Sequence, residues 1–179
     1  MSDAPRILVV CTGNLCRSPL VEALLRRDLA AAGIDAEVES AGLAAPPSRQ
    51  PDHRLRRVAS ELAVDVDEHR SRLVSHEHLR AADLILTMTS EQSAQVRALD
   101  PSAADRVVTL RAAAWKARIV GGYPVPFAEW VGRLAKGDDV FDTVSDIADP
   151  IGGPMRDYRA MGDEVRAVVQ ALVERWSGR

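Results

Sequence analysis

Near the start of the chain, a cysteine and an arginine have the types and spacing for phosphoryl chemistry. They lie in Val9-Val10-Cys11-Thr12-Gly13-Asn14-Leu15-Cys16-Arg17-Ser18-Pro19, where Cys11 follows an apolar run and Arg17 stands six positions later. A thiolate is a strong nucleophile, and a guanidinium can hold a tetrahedral oxyanion through two parallel N–H bonds. If the loop curls into a nest, the backbone N–H groups of Thr12, Gly13, Asn14, Leu15, Cys16 and Arg17 point inward at a dianion, and the Cys11 sulfur lies below its central atom. The same field of donors favours the thiolate form of Cys11. Gly13 and Asn14 tolerate the positive φ that such a nest needs. Ser18 can donate to the sulfur and help it leave in a second step. Singly, these features are bland: a cysteine at a strand end is usually a small buried hydrophobe, and Gly-Asn usually marks a turn. Their coincidence within eight residues is what points to catalysis.

The elements around this loop are those that would position it. Ile7 to Val10 read as a fully buried strand. Ser18 and Pro19 suit a helix cap and first turn, and that helix runs to about Ala32 before Gly33 stops it. A strand leading through a short loop into a helix presents unpaired N–H groups and the positive end of the helix dipole, which is an anion site. Glu37 to Ser40 form a second, weaker strand. Ala44 to Pro51 form a loop, and Leu55, Val58, Ala59 and Leu62 follow helical spacing. Arg54, Arg56 and Arg57 lie on that helix as a solvated face. Leu84 to Leu86 form a third strand, Thr89 with Gln92 a capping-box helix start that Asp100-Pro101 ends, and Arg106 to Leu110 a fourth strand. The stripe Val165, Val168, Val169, Leu172, Val173 and Trp176 belongs to a core-facing last helix. This alternation implies a parallel sheet with helices on both faces, in one domain spanning residues 1–179. Between 111 and 145 the periodicity fails around Trp115, Tyr123 and Trp130, and an irregular or partly helical insertion is expected there.

Composition narrows the partners. At 179 residues the chain can build one substantial core, and a formal charge of −3 offers no basic excess for nucleic acid. No apolar run reaches membrane-spanning length, and the polar Met1 to Arg6 does not read as a signal peptide. Two cysteines only five positions apart cannot staple a secreted scaffold, so a reducing cytoplasm is the expected setting. His76 and His78 would not share a helix face and have no third ligand nearby, so no metal is expected there. No cofactor is expected either, since the loop itself supplies positive charge.

An aryl leaving group profits from a positioned acid. Asp139, Asp142, Asp146 and Asp149 crowd the approach to the last helix, and residue chemistry alone does not choose between Asp146 and Asp149. The segment from Cys11 to Ser18 resembles the low-molecular-weight protein tyrosine phosphatase family, whose loop reads Cys-x-Gly-Asn-x-Cys-Arg-Ser. The resemblance continues at Ser40-Ala41-Gly42, His69-x-x-Arg72, Met88 and Asp149-Pro150. It implies a three-layer α/β fold with a four-stranded parallel sheet, Cys11 as nucleophile, Arg17 as phosphate clamp and Asp149 as general acid. It also implies that Asn14, Ser40 and His69 support the loop. The substrate class implied is a phosphotyrosine protein or small aryl phosphate, with inorganic phosphate as product. One departure bears on selectivity. Where the family carries two tyrosines after Asp-Pro, this chain has Ile151-Gly152-Gly153, and the opposite wall, Leu43 to Gln50, has no aromatic residue.

Three rival readings differ in class. A thiol-dependent arsenate reductase would need a cysteine relay, and only Cys16 remains after Cys11. A catalytically silent phosphate-binding module would not need both Cys11 and an acid. Dinucleotide binding would want a G-x-G-x-x-G turn after the first strand, which is not there. Cys16 itself reads either as a packed small residue or as a thiol that traps oxidised Cys11 in a disulfide.

Overall fold

The computed structural model describes residues 4–120, 126–135 and 146–178. A four-stranded, wholly parallel sheet forms the middle layer, in the order β2-β1-β3-β4. Strand β1 (Arg6–Cys11) is central, flanked by β2 (Glu37–Gly42) and β3 (Leu84–Thr87), and β4 (Val107–Thr109) closes one edge. The second strand is longer than expected because Ala41 and Gly42 continue its pairing to Val10 and Cys11. The fourth is shorter, because Leu110 already opens the next helix.

Alternation along β1 explains the layering. Ile7, Val9 and Cys11 face the core beneath α1 (Arg17–Ala31), α2 (His53–Glu61), α5 (Leu110–Val120), α6 (Phe127–Ala135) and α7 (Met155–Ser177). Leu8 and Val10 face the opposite core under α3 (His76–Ala81) and α4 (Ser90–Leu99). Gly33, at φ 72°, ends the chain's run beyond α1, as a left-handed stop should.

The stretch after Arg111, expected to be irregular or partly helical, is largely helical where it is described. Strand β4 passes directly into α5, whose buried face is alanine (Ala112, Ala113, Ala114, Ala117) and lies against α7. Small residues allow close helix approach but leave no leucine stripe, so helical period was invisible in the sequence. Trp130 on α6 is buried against Phe127 and Trp176, with ring centroids 5.9 and 5.5 Å away. Tyr123, Asp139 and Asp142 lie outside the described residues.

His76 and His78 have structural partners. His78 completes a capping box with Ser75 at the start of α3, and His76 Nδ1 lies 3.6 Å from the Asp100 carboxylate. Asp100 then caps a short 3₁₀ turn, Pro101–Arg106, so the strand that follows begins at Val107 rather than Arg106.

Candidate active site

The loop between β1 and α1 sits at the carboxyl end of the central strand, where a parallel sheet presents its ligand sites. The Cys11 sulfur receives the Asn14 N–H at 3.3 Å and lies 3.0 Å from Ser18 Oγ. Asn14 turns the chain at φ 52°, while Gly13 stays outside the left-handed region, so only one of the two expected residues carries the strain. Ser18 is not the helix cap. The helix begins one residue earlier, at Arg17, with Cys16 in the cap position and no side-chain cap bond. Ser18 is fully buried and its hydroxyl is turned to the sulfur instead.

The direction of the bonds around Asn14 follows by elimination. The Arg72 N–H can only donate, and it meets Asn14 Oδ1 at 3.0 Å. The amide nitrogen of Asn14 therefore donates to Ser18 Oγ at 3.0 Å and to Ser40 Oγ at 2.9 Å. Ser40 passes its own hydrogen to Glu22 Oε2 at 2.5 Å, which leaves the Ser18 hydrogen for the Cys11 sulfur. His69 Nε2 lies 3.0 Å from the Asn14 carbonyl, and burial lowers the His69 pKa, against the opposing pull of that bond and of Glu22. A neutral imidazole with its proton on Nε2 fits this position.

Arg17 reaches back over the loop from the first turn of α1. Its side chain is 5% exposed. Nη1 donates to the Ile147 carbonyl at 3.1 Å, and Nη2 lies 2.5 Å from Asp149 Oδ2. Nε is buried and has no partner among the described residues. Asp149 Oδ1 accepts the Ile151 N–H at 3.2 Å, which holds the carboxylate above the loop. Asp146 is committed elsewhere: its Oδ1 accepts the Ser90 N–H at 2.7 Å, at the start of α4. Of the two acids that residue chemistry left open, Asp149 is the one at Arg17.

Both cysteines are free thiols and buried. Burial pushes the Cys16 thiol well up, and the nearby charges of Asp149, Cys11 and Asp52 push in the same direction. Leu15 is half-buried and Thr12 exposed, so these two differ in what they offer a ligand. The loop expected as the opposite wall is tied to the anion loop by Leu43 N–H on the Cys11 carbonyl and Ala44 N–H on that of Thr12, both at 2.9 Å. Past Asp149, Ile151 is 49% exposed.

Several contributors escaped sequence reasoning. Glu22 stands one turn beyond Ser18, and nothing in its local sequence marks it out. Gln92 looked like half of a capping box, yet only the Thr89 half forms. Gly42 is required by space. A Cβ there would lie 2.6 Å from the Thr12 carbonyl oxygen and 2.9 Å from Asn14 N, so the end of β2 presses directly on the loop.

A family model described as low molecular weight phosphotyrosine protein phosphatase matches residues 6–119, which stops short of Asp149. A protein-arginine-phosphatase of Geobacillus stearothermophilus is 33% identical over 95% of both chains. The low molecular weight protein-tyrosine-phosphatase Etp of Escherichia coli K12 is 44% identical over 53% of this chain and 62% of its own length. A low molecular weight protein tyrosine phosphatase structure from T. tengcongensis superposes with a TM-score of 0.74 at 27% identity, covering 96% of this chain and 99% of that one. The chain belongs to the low molecular weight phosphotyrosine protein phosphatase family, and is a phosphatase of that type.

Proposed function

We propose that the enzyme hydrolyses aryl phosphate monoesters of the phosphotyrosine kind through a covalent cysteinyl-phosphate on Cys11. The observation that carries this reading is the state of Arg17. A buried Nε with no partner among the described residues, beside an Nη2 that holds the Asp149 carboxylate, is a donor pair shaped for two oxygens of one phosphoryl group.

The reaction then proceeds in two displacements. The Cys11 thiolate attacks phosphorus, the P–O ester bond breaks, and protonated Asp149 gives its proton to the departing phenolate oxygen. Asp149, now a carboxylate, takes a proton from the attacking water. The new P–O bond forms as the P–S bond breaks, and the Ser18 hydrogen stabilises the returning thiolate. Arg17 and the N–H groups of the loop from Thr12 to Arg17 hold the equatorial oxygens throughout. Asn14, Ser40 and His69 keep the loop in its strained shape. No step calls for a metal.

A second substrate class has a specific observation behind it. A relative similar over nearly the full length of both chains is named an arginine phosphatase. Leu15 and Ile151, which flank Cys11 and Asp149 in the chain, are aliphatic rather than aromatic, so nothing in them favours a phenyl ring over an extended phosphoguanidinium. A reducing cytoplasm suits a thiol nucleophile in either case.

One comparison tests both readings: turnover of p-nitrophenyl phosphate and of peptides carrying phosphotyrosine, phosphoarginine or phosphoserine, with arsenate reduction measured alongside. Hydrolysis of the phosphotyrosine peptide well above the other two supports the aryl reading. Preference for phosphoarginine replaces it, and arsenate reduction without ester hydrolysis overturns both.

A further inference from the structure

Gln92 is 4% exposed and lies in the first turn of α4, on the side of the sheet away from α1. Thr89 caps that helix by accepting the Gln92 N–H at 3.2 Å, but the Gln92 side chain does not return the bond. It reaches instead to two other groups. The Met88 N–H, which can only donate, meets Oε1 at 3.0 Å. The other end of the amide must therefore be the NH₂ group, and it lies 3.1 Å from Thr12 Oγ1. Thr12 is thus the acceptor in this bond, and its own hydroxyl hydrogen must point away from Gln92.

Thr12 adjoins Cys11 and is exposed, and among the described residues its hydroxyl hydrogen has no acceptor. Its neighbourhood is also defined. The Met88 carbonyl accepts the Ile147 N–H at 2.8 Å, and the Ile147 carbonyl accepts Arg17 Nη1 at 3.1 Å. The bonds Thr12–Gln92–Met88–Ile147–Arg17 thus run around the side of the site that carries Asp149. An exposed hydroxyl whose lone pair is engaged and whose hydrogen is free is a ready donor to an anion at that edge.

We propose that Gln92 is a positioning residue that fixes the Thr12 hydroxyl as a donor to a phosphoryl oxygen on the Asp149 side of the site. This rests on the reading of Cys11 as the nucleophile. Gln92 does not touch substrate; it acts through Thr12.

The test is a double-mutant cycle of Thr12→Val and Gln92→Met, with kcat and KM measured on p-nitrophenyl phosphate and the binding of vanadate measured separately. Each single variant should lower kcat/KM by roughly five- to ten-fold, as expected for one hydrogen bond to a charged group. Both should weaken vanadate binding. The double variant should be little worse than the poorer single one, because once the hydroxyl is gone Gln92 has nothing to orient. Thr12→Ser should stay within about two-fold of wild type, as it keeps the donor. Gln92 has a structural role only if Gln92→Met costs the same factor in both backgrounds. Should Gln92→Met not fold, Thr12→Val still decides, since it is isosteric and exposed: activity equal to wild type overturns the proposal. Cys11→Ser run beside them separates the two levels. Residual turnover in that variant defeats the nucleophile reading, whereas an inert Cys11→Ser with a fully active Thr12→Val defeats only this inference.

Discussion

The carboxylate of Asp149 and the guanidinium of Arg17 meet at 2.5 Å across the mouth of the anion loop. The residue proposed as acid therefore engages one of the donors proposed for the substrate, and the two compete for it.

Replacing the acid should consequently separate binding from turnover. Asp149→Asn is expected to slow aryl phosphates with poor leaving groups by about 10²-fold or more, and activated ones far less. Phosphate binding should become tighter, because a charged competitor has left the clamp. A series of substituted phenyl phosphates, together with calorimetric titration of phosphate, measures both. An unchanged dependence on leaving-group acidity would move the acid elsewhere.

Cys11→Ser is expected to abolish turnover while still binding vanadate. Arg17→Lys should lose about 10²-fold or more, since an ammonium cannot reproduce the Nε and Nη2 pair. Rapid-quench trapping of phosphoenzyme in the wild type, and its absence in Cys11→Ser, checks the intermediate directly.

Stability should carry a signature of His69. Burial holds its folded pKa below the ordinary 6.5, so the unfolded chain takes up the proton first as pH falls. The stability contribution is full above the unfolded value and is lost on acidification through the folded one. Thermal midpoints measured from pH 7.5 down to about 5 should fall more steeply for wild type than for His69→Gln. Parallel curves would mean that folding does not lower the His69 pKa.

The two cysteines should respond differently to reagents. Cys16 is buried at the cap of α1 with its thiol pushed up, so iodoacetamide should label Cys11 and spare it. If Cys16 traps oxidised Cys11, peroxide inactivation reverses with dithiothreitol in wild type and becomes largely irreversible in Cys16→Ser. Equal recovery in both leaves Cys16 as packing.

The parts of this fold that were legible share a short-range cause. β1, α1 and the capped start of α4 announce themselves through apolar runs, caps and a stop glycine within a few residues. Cys11, Arg17 and Asn14 were legible for the same reason, because the loop that joins them is contiguous. What stayed hidden depends on distant neighbours. Glu22 matters because the fold brings Ser40, 18 residues on, and His69 beside it. The Gln92 amide bonds Thr12 across a separation of 80 residues. Helix α5 read only as part of an irregular or partly helical stretch, because it packs through alanines, which carry little periodic signal. Ser18 was misread as a cap because a serine before proline fits that role locally, while its burial beneath Cys11 is a tertiary fact.

The contact of Gly42 with the loop decides where this enzyme can acquire a new preference. Any side chain at 42 would drive into Thr12 and Asn14, so that position at the end of β2 is closed to variation. The opposite rim is different. Ile151 lies two residues beyond Asp149 and is about half exposed to solvent. Selection or design for a different phosphorylated partner would therefore be channelled through residue 151. Changing Ile151 to an aromatic residue is the substitution most apt to broaden the repertoire without disturbing the catalytic loop.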